Sequence, residues 1–101
     1  MYIVMNRFQV AEGREGEFEE IWRTRDSYLK EVDGFREFNL LRGEGGDFIS
    51  HTIWESKSAF EGWVGSDAFH KAHSRASETP PDIFAGPAKV SMYDVLMTQT
   101  K

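Results

Sequence analysis

Residues 2–10 alternate along the chain. Tyr2, Val4, Asn6, Phe8 and Val10 fall on one side and Ile3, Met5, Arg7 and Gln9 on the other, which predicts a strand with both faces at least partly covered. Glu12 and Gly13 end it. A helix over about residues 15–31 is expected next, because Phe18, Ile21, Trp22, Arg25, Tyr28, Leu29 and Val32 recur at helical spacing and form one stripe. Asp33-Gly34 closes that helix. Residues 35–42 read as a second strand, the glycine-rich stretch 43–47 as a hairpin turn, and 48–55 as the returning third strand. Ser56 is placed to cap a short helix carrying Phe60, Trp63 and Val64. Gly65 interrupts it, and Ser66 with Asp67 restarts a helix through about Ala76. Pro80, Pro81, Gly86 and Pro87 make 77–87 a loop, and 88–98 is the last strand.

The order β-α-β-β-α-β predicts a single α+β domain over residues 1–101, ferredoxin-like, with four antiparallel strands and both helical segments on one sheet face. Ile3 and Met5 make the other face apolar as well. A chain this short does not cover both, so a homodimer is expected, with the assembly a dimeric α/β barrel.

Composition narrows the functional classes. A chain that is 40% hydrophobic and 29% charged has the make-up of a soluble globular domain rather than a disordered one. A net charge of -5 argues against a nucleic-acid partner, which requires a basic face. No window has the apolar length a bilayer requires, so no membrane partner is expected. The chain runs from Met1 straight into the first strand, with no basic region followed by an apolar stretch, and the cytoplasm is the expected compartment. The absence of cysteine excludes disulfides, thiolate nucleophiles and thiolate metal ligands.

A few side chains interrupt these patterns. His73 shares an apolar stripe with Phe69, Ala72 and Ala76, with His70 toward its edge. It reads either as a hydrogen-bonded core histidine or as a metal ligand beside which two alanines leave room for a flat molecule. Asn6 interrupts the apolar side of the first strand. Its amide either bonds nearby backbone or points as a donor into a pocket. Trp63, spaced from Phe60 by less than a turn, reads as core on its own. Trp54 has a weaker functional claim still, and Trp22 is expected to pack with Phe18 and Ile21. Arg25, on the stripe of the first helix, either pairs with Glu17 or Asp26 or offers a cation to an anionic ligand. His70 and His73 lack a third ligand at zinc spacing, and the 43–46 turn lacks the lysine and helix of a phosphate loop.

Taken together, these residues resemble a known family. The run Trp54-Glu55-Ser56-Lys57-Ser58-Ala59-Phe60, then Trp63, then Ser66-Asp67-Ala68-Phe69 with Ala72-His73, is similar to the IsdG-type haem-degrading monooxygenases of the antibiotic-biosynthesis-monooxygenase superfamily. Asn6-Arg7 and Asp33-Gly34-Phe35 match as well. The W-x-S-x-x-x-F element recurs across members with other chemistries, whereas Asn6, Trp63 and His73 at this spacing are more specific.

The resemblance implies His73 as the proximal ligand of the haem iron, Asn6 as a distal hydrogen-bond donor and Trp63 pressing on the macrocycle. Arg25 and Trp22 would lie with them around the haem, Arg25 near its propionate edge. It implies haem as both substrate and cofactor, O2 as oxidant, and an external reductant delivered by an electron-donor partner. Two other readings share the fold: a cofactor-free monooxygenase of an aromatic or quinol substrate, and a non-catalytic haem-binding module.

Overall fold

The computed structural model describes residues 1–25, 28–74 and 79–101. Its elements run β1 (Tyr2–Gln9), α1 (Glu15–Thr24), a 3-10 turn (Leu29–Glu31), β2 (Phe35–Arg42), β3 (Asp47–Trp54), α2 (Lys57–Val64), α3 (Asp67–Ser74), a second 3-10 turn (Pro81–Ile83) and β4 (Lys89–Asp94). The strands form one antiparallel sheet in the order β2-β3-β1-β4, the ferredoxin-like α+β arrangement expected from the alternation.

The register shows how the sequence divides the sheet. Tyr2, Val4, Asn6 and Phe8 of β1 stand opposite Trp54, Thr52, Ser50 and Phe48 of β3, and these side chains face the helices. Two apolar clusters result. Tyr2, Val4, Leu29 and Trp54 close one end of the sheet under α2, with Phe60 and Trp63 packed against them. Val10, Phe18, Phe48 and Ile83 close the other end under α1. There the Phe18 ring lies 4.9 Å from Phe48 and 5.5 Å from Phe8, the tilted contacts that aromatic quadrupoles favour. Between the clusters, the row Leu40–Ser50–Asn6–Val90 crosses the sheet with two polar residues at its centre.

Local signals set the helix ends. Ser56 accepts from the Ala59 backbone N–H at 3.1 Å and starts α2 as expected. Ser66 does the same for α3, accepting from the Phe69 N–H at 3.2 Å while donating to the Trp63 carbonyl at 2.6 Å. This one hydroxyl joins the end of α2 to the start of α3.

Three expectations are corrected. The first helix stops at Thr24 rather than near residue 31: Arg25 turns extended (φ -78, ψ 131), Tyr28 adopts a left-handed conformation (φ 59), and only one 3-10 turn follows. β4 ends at Asp94, not 98. Its pairing with β1 ends at Tyr2–Asp94, and one further bond is donated by the Val95 N–H to the Met1 carbonyl. The expected dimeric α/β barrel is not what the chain forms. Its four-stranded sheet stays open, with β2 and β4 as free edges on opposite sides, whereas closure takes about eight strands. Expectations for Asp26, for the end of the second helical segment at residues 75–76, and for the start of the following loop lie outside the described residues.

Like Gly46, whose Cβ would meet the Val10 backbone, Gly34 holds a place that depends on lacking a side chain. It sits at φ +83, and a Cβ there would run into the Ala59 side chain of α2. Gly34→Ala is expected to cost about 2–4 kcal/mol, combining left-handed strain with overpacking, read as a lower urea midpoint with unchanged m.

Candidate active site

The two core clusters do not meet, and the space between them is a cavity of about 290 Å³ open on one side. Its floor is the middle of the sheet: Val4, Asn6, Ser50, Thr52, Phe38 and Val90. Its walls are Trp22 and Arg25 at the end of α1, Leu29 in the 3-10 turn, Phe60, Trp63 and Val64 from α2, and Phe69, Ala72 and His73 from α3. All five residues singled out as site candidates, Asn6, Trp22, Arg25, Trp63 and His73, line this one cavity.

His73 is exposed at the mouth rather than sealed in the core. Its ring stacks on Phe69 with centroids 3.9 Å apart at 27°, and lies 5.9 Å from Trp63. Nδ1 is 2.9 Å from the Phe69 carbonyl one turn back, and a carbonyl only accepts, so the neutral ring carries its proton on Nδ1. Nε2 keeps its lone pair. Such a bond from the other ring nitrogen both orients an imidazole ligand and raises its basicity. Among the described residues no three metal-ligating side chains gather, so this imidazole offers a single coordinating nitrogen.

Trp63 packs edge-on against Phe69 at 4.9 Å and lies 5.4 Å from the fully buried Trp54. Its Nε1–H is sealed from solvent with no hydrogen-bond partner, while that of Trp54 donates to Thr52 Oγ1 at 3.0 Å. Trp54 is therefore core.

Arg25 forms the opposite wall. Its guanidinium carbon lies 4.6 Å from the centre of the Trp22 ring, which in turn stacks on Phe38 at 5.7 Å and 16°. Nη2 donates to Thr79 Oγ1 at 3.1 Å. Glu17, one of its two expected partners, is bound instead by Arg14 at 2.9 Å. Burial pushes the Arg25 pKa below the ordinary arginine value, yet a guanidinium remains charged near neutrality. Among the described residues no carboxylate reaches it, which leaves a partly desolvated cation on an aromatic wall.

The Asn6 side-chain amide makes no hydrogen bond among the described residues and lines the cavity, so the expected alternative of a nearby backbone partner is not realised there. Sequence reasoning missed Ser50, Thr52, Phe38 and Thr79. The first two were legible in principle, since the alternation Phe48, Ser50, Thr52, Trp54 puts them on the helix-facing side. Thr79 had no periodic signal. Its role depends on a contact spanning 54 positions.

An exposed imidazole with an unbonded Nε2, an amide and a half-buried cation thus line an apolar slot in an α+β domain of the ferredoxin-like class. The antibiotic biosynthesis monooxygenase family model matches residues 1–75, and the chain belongs to that family. The chain is 33% identical over 86 residues to a heme oxygenase (staphylobilin-producing) of Staphylococcus saprophyticus, covering 81% of this chain and 82% of the relative. A protein of the same description from Staphylococcus haemolyticus is 28% identical over 104 residues, covering 95% and 99%. Among solved structures, the heme-degrader MhuD of Mycobacterium tuberculosis with two hemes bound superposes with a TM-score of 0.78 at 24% identity, covering 99% and 100%. SnoaB of Streptomyces nogalater, a cofactor-independent oxygenase, gives 0.74 at 18%, covering 99% and 97%. These two superpositions establish the shared fold.

The His73 arrangement has a direct spectroscopic consequence. In the neutral ring, 15N NMR is expected to show Nδ1 as the protonated nitrogen and Nε2 as the unprotonated one. The opposite assignment would mean that the Phe69 bond does not form in solution.

Proposed function

We propose that this protein is a haem-degrading monooxygenase that opens the porphyrin ring with O2 and electrons from an external reductant, and releases the iron. The observation that carries this reading is the free Nε2 of His73 at the mouth of an apolar cavity whose sheet floor carries Asn6. The two heme oxygenases matched over most of the chain support it.

The residues present fit haem. Leu29, Phe38, Phe60, Val64 and Phe69 supply apolar walls for a flat ring, and His73 supplies one neutral nitrogen ligand. Arg25 supplies a cation for the carboxylates of the ring edge. At about 290 Å³ the cavity holds only part of a macrocycle, so the rest of the ring extends through the open side. Haem, when bound, supplies both the iron that activates O2 and the carbon skeleton that is oxidised.

His73 would hold the iron through Nε2, its ring fixed by stacking on Phe69 and by the Nδ1 bond to the Phe69 carbonyl. Trp63, braced by Trp54 and Phe69, would give the macrocycle a rigid wall to lie against. Asn6 would present an amide N–H from the sheet floor to a polar or anionic group of the bound ligand, in a mostly apolar cavity that strengthens such a bond. Trp22 holds the Arg25 guanidinium by stacking, with Thr79 as its second support.

The protein acts as a homodimer in this reading. The helices cover one sheet face only. The outward face carries Ile3, Met5, Ile49 and Ile53, with Leu41 42% and Tyr93 55% exposed. At its centre His51 has a sealed Nδ1 with no partner. Leu96 and Met97 project from the sheet edge at 94% and 78% exposure. A second copy is the cover these surfaces lack. No helix among the described residues is long and apolar enough to cross a membrane. The compartment that fits a chain without cysteine and with a reductant-dependent reaction is the cytoplasm.

Two experiments test this. Adding haem is expected to give a bound Soret band that is lost when ascorbate and O2 are supplied. His73→Ala abolishes the bound spectrum, and Asn6→Ala keeps it while slowing turnover by about 10²-fold. A free-haem spectrum with the wild-type chain would refute the reading and leave the cofactor-free oxygenase in its place. Sedimentation at micromolar concentration is expected to show twice the mass of one chain, and Met5→Lys to shift it to monomer. A wild-type monomer under those conditions would refute the dimer.

A further inference from the structure

The Asn6 amide does not stand alone on the cavity floor. Its direct cross-strand neighbour is Ser50, and side chains so paired on one sheet face lie about 5 Å apart at Cβ. Ser50 is only 5% exposed and is the single buried polar residue of the described core. Thr52, two positions on, shows how a hydroxyl on this face satisfies itself: it donates to the Val4 carbonyl at 3.3 Å and accepts from Trp54 Nε1 at 3.0 Å. Ser50 has no such arrangement. Among the described residues its hydroxyl makes no hydrogen bond. The sealed, unpartnered polar atoms are His51 Nδ1 and Trp63 Nε1, so Ser50 Oγ is not sealed. The small surface Ser50 keeps is surface on the cavity it lines.

The position is otherwise one where an apolar side chain would serve the fold better. Leu40 and Val90 complete the same row on either side, and a β-branched residue has higher strand propensity than serine. A buried hydroxyl left unanswered destabilises the folded state, so its natural partner is whatever enters the cavity.

We infer that Ser50 is a second hydrogen-bond donor to the ligand held opposite His73, acting beside Asn6 rather than through it. The cavity floor therefore presents two donors to an anionic or strongly polar group: an amide N–H from β1 and an O–H from β3. This rests on the haem reading above.

The test uses the full chain loaded with ferric haem and azide as the anionic probe. Ser50→Ala and Ser50→Val are expected to weaken azide about tenfold, the loss of one hydrogen bond to a charged partner, while Ser50→Thr stays within about twofold of wild type. The C–O stretch of the ferrous carbonyl complex moves, in Ser50→Ala and Ser50→Val but not in Ser50→Thr, toward the value of an apolar surrounding. Because Val and Thr have the same shape, their comparison separates the hydroxyl from packing, with the thermal midpoint of each variant as a folding control.

The Ser50→Ala effect persists when measured in an Asn6→Ala background. Equal azide affinity and an unmoved stretch in Ser50→Val would overturn the inference. So would an effect that disappears without Asn6, because Ser50 would then only orient the amide. Failure of the wild-type chain to bind haem at all would sink the haem reading and this inference with it, and the wild-type Soret band alone identifies that case.

Discussion

The structure depends on a break in its own core. An inward sheet face that was apolar from end to end would draw α1 and α2 down onto one continuous core, because burial of apolar area is the dominant favourable term in folding. Asn6 and Ser50, side by side in the central row, remove that attraction where it would be strongest. The apolar residues separate into a cluster under each helix, and a slot persists between them. Asn6 thus takes part both in leaving the slot open and in giving it hydrogen-bonding capacity. The aromatic residues on either side then act as rigid walls, Trp22 on Phe38 and Trp63 on Trp54.

Much of this was legible from residue order. Alternation in β1 assigned each side chain to its face, and Asn6 was visible as the exception. Ser56 and Ser66 marked helix starts through chemistry that acts over three or four residues, the range at which sequence speaks clearly, whereas Gly34, read as the end of the first helix, is instead a close approach to Ala59. The end of α1 was not legible. The apolar stripe continues past Thr24 through Tyr28, Leu29 and Val32, and no glycine or proline interrupts it before Gly34. What stops the helix is tertiary: Arg25 leaves the helical path to lie on Trp22 and reach Thr79, and Tyr28 takes up a left-handed turn so that Leu29 enters the other cluster. The extent of the last strand was overestimated for a related reason, since a strand needs a neighbour and the pairing with β1 ends at Asp94.

The candidate site divides in the same way. His73 and Asn6 drew notice because each departs from a local pattern, while Trp63 read as core on its own and was singled out only by the resemblance. The fold adds what no pattern contains: the Phe69 carbonyl that selects the imidazole tautomer, the unanswered Trp63 N–H, and a guanidinium laid on an indole. These belong to the supports of the site rather than to its first residues. They also distinguish a lone histidine on an apolar stripe from one prepared to coordinate.

The placement of the indoles carries a practical corollary. Trp22 and Trp63 form facing parts of the cavity wall, and Trp54, the remaining tryptophan of the chain, touches Trp63. All tryptophan emission from this molecule therefore originates at or beside the slot. A guest that absorbs visible light will quench it by energy transfer over such short range, so the native fluorescence is a built-in gauge of occupancy that needs no label.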